Sequence, residues 1–368
     1  MADQIVYIPV DMLQHFMVDV LAGVGVPRSE AETAAEILIT SDLRGIESHG
    51  VGRLKMYYDR ILAGTVKATS EFEIVRESPT TALVDGHLGL GHVIAKRAMQ
   101  MAIDKARTYG MGSVAVRNST HFGIDGYYPL MAVAQGMIGM SFTNARPSIA
   151  PTFGVKPMLG TNPIAFGAPT DEACPFLFDG ATSITQRGKI EVADRAEKNV
   201  PEGWVIDQQG QFLTDPVAIL KGFDASTAAL LPLGGAGELL GGHKGYDLAT
   251  MVEIMSSSLQ TGAFLYGLSG YDSQGNKIPL TVGHFFMAIN IEAFVGLEQF
   301  KATTGAMLRE LRASTKAPGQ TRIYTAGEKE FENAKVVREC GVPSNRSLQK
   351  DIKAMQTGLN LTQYEFPF

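Results

Sequence analysis

Three residues among the first sixty have side chains that suit chemistry on a small acid. His49, Arg53 and Tyr57 follow one another at intervals of four residues. On a helix that begins at Ser48, this spacing stacks the three side chains on a single face. An imidazole exchanges a proton near neutral pH, and a guanidinium grips a carboxylate through two parallel hydrogen bonds. The stripe predicts a substrate face for a carboxylated molecule, and a solvated helix face is the alternative.

A fourth candidate, His121, stands in the segment STHFGIDGYY, between a predicted strand and a predicted helix. Loops in this position often carry the ligand-binding side chains of mixed α/β proteins, although a histidine there can equally be a packed, hydrogen-bonded residue. The segments GTNPIAF (160–166) and DGATS (179–183) add small polar residues at the ends of further strands. Each of these segments alone is typical only of a turn.

The glycine-rich segment LPLGGAGELLGGHKG at 231–245 precedes a strongly helical sequence. It does not match the phosphate loop of nucleotide-binding proteins, because His243 separates Gly242 from Lys244 and no Ser or Thr follows the lysine. Backbone N–H groups, Lys244 and a helix N-terminus expected near Tyr246 nevertheless suit an anion. The alternative is a tight loop without a ligand.

A second glycine-rich segment, TTALVDGHLGLGHVIAKRAM, leads from a predicted strand into a predicted helix. Gly86, Gly89 and Gly91 are present, but the last glycine of the dinucleotide fingerprint G-x-G-x-x-G falls on Ile94. Asp104 lies within the predicted helix and not at a strand end, where a ribose-binding acid is expected. A tight turn before a helix is therefore the better interpretation.

Composition argues against several classes of protein. The net charge of −6 and the absence of Lys/Arg runs argue against a nucleic-acid partner. No uncharged apolar run is long enough for a membrane span, no secretory signal is visible, and two cysteines form no disulfide framework. We expect a cytoplasmic protein with no membrane partner. His87 and His92 are five residues apart and match no metal-binding pattern, so no metal site is expected.

The elements that position these residues change character along the chain. The first seventy residues predict three helices: one at 9–24, a second capped by Ser29 with Glu32 as its capping-box partner, and a third at 48–61. From about Glu71 onward, short strands and helices follow one another without strict alternation. The sequence therefore predicts a mixed α/β fold of α+β-like character, and a doubly wound sheet is not required.

Six segments together resemble the malate/L-lactate dehydrogenase-like family, where they occur in the same order: SHGVGRLKMYYDRI, STHFGIDGYY, LGTNPIAFGAP, FDGATS, GHKGYDLA and YTAGEKE. The resemblance covers nearly the whole chain. It implies NAD(P)-linked oxidoreduction on a fold that is not a Rossmann fold, and it implies a homodimer. It also implies a mainly helical substrate-side segment at 1–72, completed by C-terminal helices within 300–368, and an α/β cofactor-binding domain at 73–299.

The resemblance further implies roles for individual residues. His49 and His121 match the two histidines to which proton transfer is assigned in different members, and Ser48, Arg53 and Tyr57 match the substrate-facing helix. The cofactor-contacting positions that it implies are Thr161, Asn162, Asp179, Gly180, Ala181, Lys244, Gly245, Ala326, Gly327 and Glu328.

Four residues depart from the family pattern. A bulkier residue usually stands in place of Gly180 and a proline in place of Ala326, so both departures are expected to loosen cofactor contacts. Ala145 replaces a serine found in some members, which removes one cofactor hydrogen bond. The neighbouring Arg146 is unusual and adds charge near the site.

We therefore expect a dehydrogenase that moves a hydride between nicotinamide and C2 of a small 2-hydroxy or 2-oxo acid of the malate or lactate type. Arg53 would hold the carboxylate, and His49 is favoured over His121 as the proton-transfer group. The site would lie in the cleft between the two domains. Alternatives are a reductase of a cyclic imine carboxylate, a ureidoglycolate or diketogulonate type of substrate, and a cofactor-binding regulator without turnover.

The sequence leaves the choice between NAD and NADP open. Arg187 and Arg195 are candidates for contact with a 2′-phosphate, and Asp194 is a candidate for contact with a ribose hydroxyl. These three assignments rest on proximity in the sequence alone.

Overall fold

The structure, a computed structural model, describes residues 5–368. The strands in this range are β1 (Val6–Ile8), β2 (Glu73–Glu77), β3 (Thr81–Asp85), β4 (Met111–Ser119), β5 (Met137–Thr143), β6 (Ile164–Ala168), β7 (Phe176–Gly180), β8 (Val205–Asp207), β9 (Phe212–Leu213), β10 (Ala228–Leu230), β11 (Val282–Asn290) and β12 (Val342–Ser344). The α-helices are α1 (Val10–Gly23), α2 (Arg28–Leu43), α3 (Leu54–Leu62), α4 (Gly91–Tyr109), α5 (Tyr127–Val133), α6 (Arg187–Arg195), α7 (Pro216–Asp224), α8 (Gly242–Ser257), α9 (Leu297–Ala313), α10 (Glu328–Cys340) and α11 (Arg346–Gly358). None of these helices is long and apolar enough to span a membrane.

A seven-stranded sheet forms the centre of the fold, with the order β2-β3-β4-β11-β5-β6-β7. Only β3 and β4 run parallel, and every other neighbouring pair in this sheet is antiparallel. A Rossmann fold requires a mostly parallel sheet with helical crossovers. The prediction of a mixed α/β fold that is not a Rossmann fold is therefore confirmed.

Helices cover both faces of this sheet. On one face, α4 and α5 bury an apolar cluster that includes Phe286 of β11, and on the other face Val252 of α8 packs with Phe142 and Phe285. Successive side chains of a strand point to opposite faces, so Phe285 and Phe286 can serve the two layers. The loop after β4 carries His121, which belongs to the candidate site described below.

The glycine-rich turn before α4 is a packing feature. A Cβ atom on Gly91 would lie 2.1 Å from the carbonyl oxygen of Thr120, far inside van der Waals contact. The N–H of Gly91 donates to the Thr120 hydroxyl at 2.9 Å. These contacts occupy the start of α4, in agreement with a tight turn and not with a dinucleotide site.

The predicted single helix from Ser48 is wrong. Two short 3-10 turns, Glu47–His49 and Val51–Arg53, precede α3. The histidine therefore leaves the α-helical face that carries Tyr57, and only the arginine keeps its place one turn before the tyrosine. The three side chains still converge, but they do so through tertiary contacts and not through helical spacing.

A buried carboxyl group causes this break in the helix. A Cβ atom on Gly50 would lie 1.8 Å from Oδ1 of Asp42, and Oδ2 of Asp42 accepts a 2.8 Å hydrogen bond from the N–H of Val51. Asp42 is 2% exposed. The close approach of α2 to this turn requires glycine at position 50, and the hydrogen bond holds the second 3-10 turn in place.

Two helix starts also differ from the prediction. Helix α2 begins at Arg28 after Pro27 and has no side-chain cap, so Ser29 lies within the first turn and is not the capping residue. Helix α8 begins at Gly242, four residues before the expected Tyr246, because the left-handed backbone of Gly241 (φ 83°) precedes it. Helix prediction from side-chain type does not register such backbone reversals.

The two ends of the chain meet in one helical region. Strand β1 pairs antiparallel with β12, and α10 packs against α2. Phe16 of α1 makes edge-on contacts with Tyr364 and Phe366, with ring centroids 5.3 and 5.0 Å apart. One apolar cluster joins α1, α2 and α3 to side chains of α10 and α11.

Helix α9 has a different neighbour. Arg309 pairs with Asp171 at 2.8 Å and Arg312 with Glu172 at 2.6 Å, both in the loop between β6 and β7. The division into segments 1–72 and 300–368 against 73–299 stays a prediction. These ion pairs place α9 against the β-sheet portion.

A small sheet of order β10-β8-β9 completes the fold, and β8 and β9 form a hairpin directly after Trp204. Helices α6 and α7 pack beside it. A Cβ atom on Gly188 of α6 would lie 3.9 Å from the Cβ atom of Ser48. The first turn of α6 therefore borders the segment that carries His49.

Candidate functional site

Two half-buried histidines and a buried tyrosine from distant parts of the sequence form one group. The Tyr57 hydroxyl lies 2.5 Å from Nδ1 of His121, and the rings of His49 and His121 stack with their centroids 5.4 Å apart. Helix α3 supplies the tyrosine, the first 3-10 turn supplies His49, and the loop after β4 supplies His121. The structure thus brings together three of the predicted site residues.

Ser48 links this group to Arg53. Its hydroxyl lies 2.8 Å from Nδ1 of His49, and its carbonyl oxygen accepts a 2.6 Å hydrogen bond from Nε of Arg53. The exposed guanidinium keeps its two terminal nitrogens without a hydrogen bond to any other residue of 5–368. Those two nitrogens form the fork that binds a carboxylate.

Burial keeps both imidazoles neutral at neutral pH. Desolvation, followed by the charge of Arg53, lowers the pKa of His49 to about 4. The pKa of His121 lies well below its usual value for the same first reason, with added repulsion from His49 and Arg53. Burial raises the pKa of Tyr57, so its hydroxyl stays protonated. The group can accept one proton but does not hold an extra one in the resting state.

The tautomer of His121 decides the direction of proton transfer. The backbone N–H of Gly123 points at Nδ1 from 3.3 Å, beside the Tyr57 hydroxyl. With Nδ1 accepting these hydrogen bonds, Nε2 carries the proton and can donate it to a substrate oxygen. In the other tautomer Nδ1–H donates to the tyrosine oxygen, and Nε2 accepts a proton from a hydroxyl. Tyr57 can serve either tautomer because a hydroxyl both donates and accepts.

His92 lies behind the tyrosine and was considered in the sequence only as a possible metal ligand. Its ring meets the Tyr57 ring edge-on at 4.7 Å, and neither ring nitrogen has a hydrogen-bond partner in the described chain. Burial lowers its pKa to about 3. It is a neutral packing residue that fixes the Tyr57 ring, and no sequence signal indicated this role.

A cleft of about 260 Å³ collects a second set of predicted residues. Asp179 at the end of β7 and Gly327 before α10 both line it, and Arg44, Lys329 and Glu330 add charges. The N–H of Leu177 donates to the carbonyl oxygen of Ala326 at 3.2 Å, which ties β7 to this loop. Arg44 was not among the predicted residues.

Two carboxyl groups stand beside this cleft: Asp125 is buried and Asp179 is exposed at the end of β7. Oδ2 of Asp179 accepts from the N–H of Gly126 at 2.8 Å, and Oδ1 of Asp125 accepts from the Ser141 hydroxyl at 2.5 Å. Desolvation of its carboxyl group raises the pKa of Asp179 to about 6, and burial together with the Asp179 charge raises the pKa of Asp125 well above its usual range. No local feature of the sequence indicates this property of Asp125.

The remaining cofactor candidates gather around the end of β7. The N–H of Thr182, next to Ala181, donates to the carbonyl oxygen of Thr161 at 2.9 Å, and the N–H of Leu233 donates to Thr182 at 2.9 Å. A Cβ atom on Gly245 would lie 2.1 Å from the carbonyl oxygen of Leu233. The loops of 161–162, 179–182, 233 and 244–245 are thus direct neighbours.

Several of these candidates have structural partners of their own. The buried Asn162 donates to Glu253 at 2.7 Å and accepts from the N–H of Ala145 at 3.2 Å. The buried Glu328 accepts from Arg312 at 2.7 Å and does not line the cleft. Both residues fix the loops around the cleft. Lys244, by contrast, is exposed and makes no ion pair within 5–368.

Metal chemistry finds no support in the described residues. No group of three or more His, Cys, Asp or Glu side chains among residues 5–368 is arranged to hold a metal ion.

The comparisons with known proteins agree with this arrangement. A sequence model of the family described as malate/L-lactate dehydrogenase matches residues 8–353. Malate dehydrogenase of Pyrococcus horikoshii is 46% identical over 345 residues, which are 94% of this chain and 93% of that protein. L-sulfolactate dehydrogenase of Methanocaldococcus jannaschii is 38% identical over 95% of this chain and 96% of its own.

Solved structures give the same result. The crystal structure of malate dehydrogenase from Entamoeba histolytica superposes with a TM-score of 0.95 at 44% identity, covering 99% of this chain and all of that one. Other relatives are named for NAD(+) or for NADP(+). The chain belongs to the malate/L-lactate dehydrogenase family.

Proposed function

We propose that the protein is an NAD(P)-dependent dehydrogenase that interconverts a small 2-hydroxy acid and the corresponding 2-oxo acid, with malate as the first candidate. The observation that carries the proposal is the partly buried Tyr57–His121–His49 group beside the free fork of Arg53. Relatives 46% and 48% identical to the chain are named malate dehydrogenase.

Arg53 binds the substrate carboxylate. Its Nε is fixed by the Ser48 carbonyl oxygen, so the side chain loses little further freedom when the two terminal nitrogens donate to a carboxylate. A carboxylate in this fork places the adjacent C2 oxygen toward the histidine pair.

His121 and His49 hold and move the proton at the C2 oxygen. A neutral imidazole accepts the hydroxyl proton during oxidation. The Tyr57 oxygen accepts a hydrogen bond from Nδ1–H of His121 and so stabilises the imidazolium that forms. The tyrosine contact favours His121 as the group that exchanges the proton, whereas His49 polarises or orients the same oxygen. This reverses the preference for His49 that the sequence suggested.

The residues around the cleft fit a nicotinamide dinucleotide. Arg44 and Lys329 supply positive charge, and Asp179 supplies a hydrogen-bonding carboxyl. Gly327, in the left-handed region at φ 91°, lets the turn before α10 pack closely against Leu177 of β7. When bound, the cofactor supplies or takes up the hydride. Lys244 and the start of α8 offer a second anion contact.

One ion-pair network helps to choose between the two arginines that are candidates for contact with a 2′-phosphate. Arg187 donates to Glu191 at 3.0 Å and to Asp224 at 2.8 Å, so its guanidinium is engaged. Arg195 makes no ion pair in the described range. We propose Arg195 over Arg187 as the partner of a 2′-phosphate, should NADP be the cofactor.

A homodimer and a cytoplasmic location belong to the same proposal. Leu239 and Leu240 are 100% and 82% exposed, and such side chains favour burial against a partner. Cys174 and Cys340 are both free thiols, which suits a reducing compartment. Light scattering after gel filtration tests the dimer.

The decisive experiment is a substrate-by-cofactor screen that follows absorbance at 340 nm. Oxaloacetate, pyruvate and a cyclic imine carboxylate are each offered with NADH and with NADPH. We expect turnover of a 2-oxo acid. Turnover of the imine alone would show that the substrate is a cyclic imine carboxylate and not a 2-oxo acid. No turnover of any substrate would favour a regulator and overturn the proposal.

Variants then test the site. We expect His121→Ala to lower kcat by roughly a hundredfold or more, in the range of general acid–base catalysis. His49→Ala should also reduce turnover. His87→Ala is the matched control, because that histidine pairs with Glu73 outside the site. Wild-type turnover in both site variants would refute the assignment.

A further inference from the structure

The face of α3 that carries Tyr57 also carries a second arginine. Arg60 follows Tyr57 by three residues and Arg53 precedes it by four, so both lie on the same side of the helix, one turn away in either direction. Arg53 and Arg60 both act electrostatically on the tyrosine and on His121. The charge of the site therefore exceeds what a single carboxylate requires.

Arg60 has no counterion within residues 5–368. The half-buried guanidinium makes no ion pair and no side-chain hydrogen bond in the described chain. Burial is the main cause that lowers the pKa of Arg60. Tyr57 raises this pKa, whereas repulsion from Arg53 and Arg146 lowers it further. A partly buried cation without an anion costs free energy, and an incoming anion recovers that cost.

Arg146 brings a third positive charge from the loop after β5. It lies within electrostatic range of Arg60, and its guanidinium carbon stands 5.5 Å from the centre of the Tyr271 ring. Asp224 lies within electrostatic range of Arg146, but its carboxylate already accepts from Arg187 at 2.8 Å. The aromatic ring thus holds Arg146 without neutralising it.

From this placement we infer that Arg60 and Arg146 bind a second anionic group of the substrate, so that the enzyme selects dianionic 2-hydroxy and 2-oxo acids over monoanionic ones. The inference rests on the proposed function and names its substrate class. Arg53 takes the carboxylate next to C2, and the other two arginines take a carboxylate or a sulfonate at the far end. A methyl group at that end would leave both cations unpaired.

The kinetic test compares oxaloacetate, 3-sulfopyruvate and pyruvate with the wild type, Arg60→Gln and Arg146→Gln. Loss of a charge-assisted contact predicts that the ratio of kcat/KM for oxaloacetate to kcat/KM for pyruvate falls about tenfold or more in each variant. Arg76→Gln is the control, because Arg76 is exposed on β2 and makes no ion pair in the described chain. An unchanged ratio in both variants overturns the inference. The sulfopyruvate arm shows whether a sulfonate serves as the second anion.

A binding test separates this inference from the proposed function. Thermal unfolding is followed with malate and with lactate in the absence of cofactor, so that turnover is not needed. Stabilisation by malate over lactate that disappears in Arg60→Gln and Arg146→Gln supports the inference, even if the screen finds no activity. Equal stabilisation by both acids in the wild type overturns it, even if the enzyme proves to be a dehydrogenase.

Discussion

At the scale of single residues, the pH dependence of catalysis follows from burial. Because the pKa of His49 is lowered to about 4 and that of His121 lies lower than usual as well, both rings stay neutral far below pH 6.5. Oxidation needs a neutral base. We expect kcat/KM for malate oxidation, at saturating cofactor, to stay level from pH 8 to about pH 5.5 and to fall only below that.

A different pH profile is expected if the catalytic histidine is exposed to solvent. An exposed histidine acting as base would give a fall of kcat/KM that begins near pH 6.5. Saturating cofactor is required because Asp179, with a pKa of about 6, faces the cleft proposed for the cofactor. A tenfold loss between pH 7 and pH 6 under these conditions would refute burial as the controlling factor.

The Tyr57 hydroxyl is the second residue-scale test. Tyr57→Phe removes the 2.5 Å contact with Nδ1 of His121 and leaves the ring packed against His92. Loss of about 1 to 3 kcal/mol from this contact predicts a fall in kcat of roughly 5- to 150-fold with little change in KM. Tyr58→Phe, one position along α3 and without a hydroxyl hydrogen bond in 5–368, is the control. Equal kinetics of the two variants would remove Tyr57 from the proton-transfer group.

The sequence pointed to the residues to which we assign the chemistry, but it missed residues whose state depends on burial. His49, Arg53 and Tyr57 were found because their types and spacing are visible locally. His92 and Asp125 have no such signal, since their unusual state depends on neighbours from other segments that exclude water. Burial of a polar group is a tertiary property that a local sequence window does not contain.

At the scale of elements, Asp42 holds the turn that presents His49. Burial first, and the charge of Glu47 in addition, raise the pKa of Asp42 to about 8 against the hydrogen bond from Val51. The folded protein therefore keeps this proton at pH 7, whereas the unfolded chain releases it near pH 4. Stability from this group is complete below about pH 4 and is lost as the pH rises through 8.

Asp42→Asn tests this reasoning. The amide oxygen can still accept from the N–H of Val51, but the side chain no longer titrates. The free energy of unfolding of the wild type should therefore fall with rising pH relative to that of the variant. We expect the difference, variant minus wild type, to increase by up to about 1.4 kcal/mol per pH unit between pH 5 and 8. Urea unfolding at four pH values measures the difference.

The slope with pH is the readout for Asp42, because the substitution can also change stability by a constant amount. Asp224→Asn is the control: the ion pair with Arg187 lowers the pKa of Asp224, so that group does not titrate in this pH range. A difference between Asp42→Asn and the wild type that is constant from pH 5 to 8 would contradict the raised pKa.

Regular elements were predictable and irregular ones were not. Helices α1 and α4 follow the apolar period of the sequence closely, since tertiary packing there reinforces the local preference. The segment after α2 departs from its helical appearance because the Asp42 carboxyl and Gly50 impose a different backbone. A contact between two elements decided the local structure, and a single stretch of sequence does not show it.

At the scale of the whole molecule, the helical region that carries Tyr57 depends on both ends of the chain. The core that supports α3 includes α1, α2, α10 and α11, and the tail adds Tyr364 and Phe366 against Phe16. The proposed proton-transfer group spans the contact between this region and the sheet region, because Tyr57 belongs to the first and His121 follows β4. The site can therefore form only when the helical region is folded.

Phe366→Ala tests this dependence. Removing a half-buried ring that contacts Phe16 edge-on should lower the free energy of unfolding by about 1 to 3 kcal/mol. Hydrogen exchange should then speed up in α1 and α11 together, and less in α4, whose core is a separate cluster. Phe294→Ala, at a side chain 69% exposed, is the control. Equal acceleration in α1 and α4 would show that the two regions unfold as one unit and would contradict the predicted division into two domains.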